Sequence, residues 1–198
     1  MGLSGDEVIR YSRQILYPHF GEEGQGRLKE ACAVVAGVGG LGSSALIYLA
    51  CAGFGRIRIV DKDRVELSNL NRQIIHWDED IGEKKVVSAY RKIRRLNPNV
   101  EVIPIFEEIR EGNVREIIRG ADVVIDGMDN MEGRFVLNKG CVEEGIPFIH
   151  GGVNGLKGEV MTIIPGRTPC LECIFPRIEG RRVLPVFGVT PSLVASIQ

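Results

Sequence analysis

The order of apolar and polar positions divides the chain into alternating strands and helices. "CAVVA" (32–36) is an unbroken apolar run ended by glycines, the pattern of a strand buried on both faces of a parallel sheet. "GSSALIYLACAG" (42–53) follows with helical spacing and closes on Gly53, a residue suited to a left-handed helix cap. The alternation continues through a strand "RIRIVD" (56–61), an irregular polar stretch (62–82) and a helix over 83–96 closed by "NPN". Strands "VEVIPI" (100–105) and "ADVVIDGMD" (121–129) flank a short helix near 113–119. "RFVLNKGCVEEG" (134–145) reads as a helix and "PFIHGGV" (147–153) as a strand. Ahead of these, Val8, Ile9, Ile15 and Leu16 lie among charges over 5–17 and predict a helix stopped by Pro18. Beyond Gly155 the helical patterns cease. "KGEVMTIIPG" (157–166) and "TPCLECIFP" (168–176) predict an antiparallel edge extension and a cysteine turn. Such alternation predicts an α/β fold with a doubly wound, Rossmann-like, mostly parallel sheet, because parallel neighbours need a crossover helix between them.

Composition adds bounds to this picture. With 198 residues, 44% of them hydrophobic, the chain has material for a sizeable core and reads as one domain. Its parts are a helical segment (1–30), the core (31–155) and a region of edge strands, paired cysteines and the start of a further helix (156–198). A formal net charge of −1 gives no reason to expect nucleic acid or a membrane surface as partner. The N-terminus lacks the basic-then-apolar order of a signal peptide, so the expected compartment is the cytoplasm. The five cysteines suggest no disulfide framework. Cys32, Cys51 and Cys141 read as small core residues, His19, His76 and His150 as structural, and Trp77 as a packing anchor.

The candidate chemistry begins at the first turn. Gly37, Gly39 and Gly42 have the spacing in which one glycine turns the chain, one admits phosphate to the backbone and one lets a helix pack closely. Asp61, ending the second strand, is placed to bind ribose hydroxyls, and this much alone favours NAD. Downstream, Asn69, Arg72, Lys85, Asp129 and Asn130 lie where strand ends converge. Two cations and an acid suit the expulsion of pyrophosphate, which needs positive charge on phosphates and a carboxylate for magnesium. The competing reading makes Arg72 and Lys85 members of surface ion pairs, and Asp129-Asn130 a helix cap.

"RYSRQI" (10–15), "GVGGLGS" (37–43), "VDKDRVELSNLNRQ" (60–73), "IGEKK" (81–85), "MDN" (128–130) and "PCLECIFP" (169–176) together resemble, in order, the motifs of the ThiF/MoeB/HesA family. These proteins are relatives of the ubiquitin-activating enzymes. The resemblance implies ATP-dependent adenylation of the C-terminal glycine of a small ubiquitin-like sulfur carrier ending in Gly-Gly, with release of pyrophosphate. It also implies roles. Gly40 and neighbouring amides approach the phosphates, Asp61 binds ribose, and Ser68, Asn69, Leu70, Asn71 and Asn130 line the nucleotide. Arg72 and Lys85 offset phosphate charge, and Asp129 binds magnesium. Arg13 resembles an arginine that enters the partner subunit's site, which implies a homodimer. A sulfurtransferase or cysteine desulfurase is a further implied partner. Cys170 and Cys173 resemble half of a structural zinc site whose second CxxC is missing here.

Two features depart from the family pattern. "PSLVASIQ" ends in mid-pattern for a helix, so the protein is expected to continue beyond Gln198 and to complete the zinc site there. "FPRIEGRRVLPVFGVTPS" is short and lacks the cysteine that family members often carry for thiol chemistry. Either residues are absent after about Ile178, or the protein stops at adenylation. An NAD-dependent oxidoreductase and a non-catalytic carrier-binding module are the competing functions.

Overall fold

The computed structural model describes residues 2–175. The segment after Phe175, including the short crossover and the helix expected toward Gln198, lies outside these residues. The chain runs through α1 (Gly5–Arg10), α2 (Ser12–Ile15), α3 (Gly21–Glu30), β1 (Cys32–Ala36), α4 (Gly40–Ala52) and β2 (Arg56–Val60). It continues with α5 (Lys85–Leu96), β3 (Glu101–Ile105), α6 (Val114–Ile118), β4 (Val123–Asp126) and α7 (Met131–Glu144). An antiparallel pair, β5 (Phe148–Asn154) and β6 (Lys157–Ile163), and the short α8 (Leu171–Ile174) close the described part.

The sheet order is β3-β2-β1-β4-β5-β6, with every pairing parallel except the last. The mostly parallel α/β sheet and its antiparallel edge are those expected from the alternation of patterns. All five residues of β1 are buried because helices cover both faces. Val34 and Ala36 enter one apolar cluster with Phe148, Leu137 and Ile118; Val35 enters the other with Leu46, Ile59 and Ile93. The chain leaves β1 for β2 and β3 on one side, then returns past β1 to β4 on the other. The carboxyl ends of β1 and β4 therefore flank the point where the strand order reverses, the usual ligand crevice of open α/β sheets.

Several local expectations need correction. The helix predicted over 5–17 breaks at Tyr11, which leaves helical geometry to bury its ring and accept a 2.8 Å hydrogen bond from Asn97. The helix predicted from 83 starts at Lys85, because Lys84 pairs with Arg64 and the Glu83 carbonyl accepts from Val65 N–H. Helix α7 starts at Met131, ahead of the run "RFVLNKGCVEEG" and where the cap reading puts it, capped by Asn130. The fourth strand stops at Asp126, whose carboxylate accepts Met128 N–H and turns the chain. Cys51 is exposed on α4 rather than in the core. Trp77 is 52% exposed and is no packing anchor; its ring receives the Lys92 ammonium 4.4 Å from the centroid. Among the described residues no helix is long and apolar enough to cross a membrane.

Candidate functional site

The site is built from the loops that leave β1, β2 and β4. Gly37 turns the chain out of β1 with φ of +91°, a conformation open to glycine and costly for other residues. A side chain there would meet the Gly127 carbonyl oxygen at 2.5 Å, so the loops following β1 and β4 touch. Gly39 then caps α4, and Gly40 begins it, presenting first-turn amides to the crevice. Asp61 fixes this turn from the side. Its Oδ2 accepts Val38 N–H at 2.8 Å and its Oδ1 accepts Asp63 N–H at 2.7 Å. Burial pushes the Asp61 carboxyl above the usual carboxylate range, against the pull of Lys85 and these two amides.

The remaining expected residues fall into distinct groups. Lys85 forms the ion pair of the competing reading, donating to exposed Asp63 at 3.1 Å, but its own side chain is buried and faces the acids after β2. Arg72 donates to its own turn, to Ser68 O (2.9 Å) and Asn71 Oδ1 (3.0 Å), and makes no ion pair among the described residues. Asn69 is buried and its Oδ1 accepts Glu66 N–H at 3.0 Å, which shapes the turn that carries Ser68, Leu70 and Asn71. Asp129 is exposed just beyond Gly127, with Oδ1 accepting from Asn130 at 3.1 Å. The competing cap reading holds for Asn130, whose Oδ1 accepts Gly133 N–H at 2.8 Å, and not for Asp129.

Arg13 stands apart from these groups. Neighbouring Gln14 donates at 3.0 Å to Ala52 O, at the end of α4 opposite the glycine turn. A helix of that length separates its ends by roughly 18 Å, so exposed Arg13 does not reach its own chain's turn.

Three buried arrangements go beyond the sequence reading, in which His76 and His150 are structural and their partners have no role. Asp126 Oδ2 lies 2.6 Å from His150 Nδ1, while its Oδ1 accepts Met128 N–H at 2.9 Å. Arg134 donates to Met128 O at 2.7 Å and to Gly151 O at 3.2 Å, so both the N–H and the C=O of Met128 are held ahead of Asp129. The available signal was a lone carboxylate ending the apolar run "VVID". Gln73 is buried beside Gly39, with no partner for its Oε1 among the described residues. His76 is buried between Val38 O (2.9 Å) and Ser88 Oγ (2.8 Å).

Burial, aided by Lys85 and Lys92 and opposed by the Val38 bond and Asp80, lowers the His76 pKa to about 4. The folded protein therefore binds fewer protons than the unfolded chain between that value and the ordinary histidine range, and stability rises with pH across this window. This contribution is fully present above neutrality. Acidification to pH 5 is expected to remove about 2 kcal/mol of it. Urea unfolding at pH 7.5 and pH 5 checks the loss, which a His76→Gln protein should show less of.

A family model described as the ThiF family matches residues 11–198, which includes the glycine turn, the Asp61 loop, the Asp129 loop and the cysteine pair. The chain belongs to the ThiF family. Two ThiF-type relatives align with nearly all of it. One, named SAMP-activating enzyme E1, from Haloferax volcanii, is 42% identical over 100% of this chain and 75% of its own length. The other, named sulfur carrier protein adenylyltransferase, from Thermus thermophilus, is 39% identical over 98% of this chain and 75% of its own. The same ThiF fold occurs in a crystal structure of Escherichia coli MccB with ATP, at a TM-score of 0.80 and 26% identity. That alignment covers 95% of this chain and 59% of the MccB chain.

Proposed function

We propose that this ThiF-family chain uses ATP to adenylate the C-terminal glycine of a small ubiquitin-like sulfur carrier protein ending in Gly-Gly. The observation that carries the reading is the meeting of the glycine turn and the Asp129 loop at the reversal point of the sheet, with Asp61 bound to the turn. The names of the relatives supply the substrate class. A carrier carboxylate oxygen attacks the α-phosphorus, the bond to the departing pyrophosphate breaks, and the carrier is left as an acyl-adenylate.

In this reading the amides around Gly37, Gly39, Gly40 and Gly42 receive the phosphates and Asp61 the ribose. Ser68, Asn69, Leu70, Asn71 and Asn130 line the nucleotide. Among the described residues Arg72 has only neutral acceptors to give up before turning to phosphate, a charge-assisted and therefore stronger partner. Lys85 shares its charge with Asp63. Asp129, exposed and carrying hard oxygen donors, suits magnesium, which when bound would offset phosphate charge. Arg13, too far from its own turn, fits a site shared across a homodimer.

The cysteine pair also suits a metal. Its Sγ atoms lie 3.7 Å apart, close to the roughly 3.8 Å that two thiolates span on tetrahedral zinc. Burial pushes the Cys170 thiol up, but hydrogen bonds from Cys173, Asn138 and the Glu172 backbone outweigh it and hold the thiol below its usual range. A second pair of ligands is not found among the described residues. The reading treats 1–198 as one adenylation domain and expects it in the cytoplasm. A sulfurtransferase or cysteine desulfurase would act next on the activated carrier.

The test is isotope exchange between pyrophosphate and ATP, run with and without purified Gly-Gly carriers, beside calorimetry with ATP and with NAD. Exchange that depends on a carrier is expected. Binding of NAD with no exchange under any carrier overturns the proposal.

A further inference from the structure

A chain of hydrogen bonds runs from a buried ion pair to the back of the glycine turn. Lys92 Nζ donates to Asp80 and, at 3.2 Å, to Ser88 Oγ. Ser88 Oγ lies 2.8 Å from His76 Nδ1, and His76 Nε2 lies 2.9 Å from Val38 O. With the buried ring neutral, the donor inventory sets the direction of each link. An ammonium only donates and a carbonyl only accepts. Ser88 therefore accepts from Lys92 and gives its own proton to Nδ1, while Nε2 carries the ring proton and donates to Val38.

The consequence passes through one peptide bond. Val38 N–H is held by Asp61, and Val38 C=O by His76. The Val38–Gly39 peptide is trans. In a planar trans unit the N–H points opposite to the C=O, so Gly39 N–H faces away from His76. No acceptor among the described residues takes that N–H. Gly39 is also the residue that caps α4, where unpaired amides accumulate.

We propose that His76 is a positioning residue of the nucleotide site, aiming the Gly39 amide at the phosphate chain through its hold on the Val38 carbonyl. This rests on the reading of the crevice as an ATP site. His76→Leu keeps bulk and removes the donor; His76→Gln restores a donor near the Nε2 position. ATP and adenosine binding are measured for each, with KM for ATP and kcat from pyrophosphate exchange.

His76→Leu is expected to weaken ATP binding about tenfold, the effect of one lost buried hydrogen bond. Adenosine, which has no phosphate, should bind as before, and His76→Gln should recover most of the ATP affinity. Equal losses for ATP and adenosine, or unchanged ATP affinity with a lowered melting point, overturn the inference and leave His76 a packing residue. If the leucine variant does not fold, 15N shifts of the wild-type ring decide: a proton on Nδ1 overturns the relay. Wild-type protein that binds ATP yet exchanges no pyrophosphate defeats the adenylation reading alone, and the binding comparison still judges His76.

Discussion

Asp129→Ala is expected to lower carrier-dependent pyrophosphate exchange by about 100- to 1000-fold, the usual cost of removing a group that stabilises charge in the transition state. The melting temperature should scarcely move. Asp129 is exposed, and its one side-chain hydrogen bond among the described residues comes from Asn130. Capping of α7 belongs to Asn130, and the burden of shaping the loop belongs to buried Asp126 with His150 and Arg134. Fold and chemistry are thus divided between carboxylates three positions apart, which is why the alanine separates them. Unchanged exchange by a folded Asp129→Ala protein rejects the magnesium role. A second measurement uses the same variant. Arg13→Ala alone should also be impaired, and mixing the two inactive proteins should restore part of the rate, because a hybrid dimer holds one site with both groups. The separation of Arg13 from its own turn demands this if the residue acts at all. A mixture that stays inactive, although the subunits exchange, rejects the shared site.

Much of the fold was legible because it depends on local pattern. The unbroken apolar run at 32–36 marked a strand covered on both faces, and all five residues are buried. The antiparallel edge was visible where helical spacing stopped after Gly155. The glycine turn and Asp61 were legible for the same reason, since their spacing follows one strand-turn-helix unit. The structure adds that Asp61 holds Val38, a contact that stiffens the turn before any ligand arrives. What could not be read rests on pairings distant in sequence. Tyr11 breaks its helix to reach Asn97, and Lys84 is drawn from the start of α5 by Arg64. His76 lay in an irregular polar stretch with no partner nearby in sequence. Its partners, Val38 and Ser88, come from a loop and a helix that only the folded sheet brings together. Cys51 was misjudged because a helix with an apolar sequence still keeps one face toward solvent.

Gly42→Ala is expected to abolish measurable ATP binding and to lower the melting temperature on the order of 5 °C. Gly42 is buried in the first turn of α4, and an added methyl would lie 1.8 Å from the Gly37 carbonyl oxygen and 2.9 Å from its carbon. No side-chain rotation relieves such a contact, because both atoms are backbone. Gly37 cannot retreat either, since its other side faces the Gly127 carbonyl at a distance that already excludes a side chain. The helix must move out or the turn must open. Each response displaces the amides that the turn exists to present, so affinity and stability fall together. Gly39→Ala is the control, because its methyl would meet only the Gln73 amide nitrogen, at an ordinary 3.6 Å, and its φ of −85° lies outside the left-handed region. That protein should melt like wild type, and any loss of ATP binding in it reports on room for phosphate rather than on collapse of the turn. A Gly42→Ala protein with wild-type melting and wild-type ATP affinity is the result this packing forbids. It would mean that the nucleotide sits elsewhere than on the turn between β1 and α4.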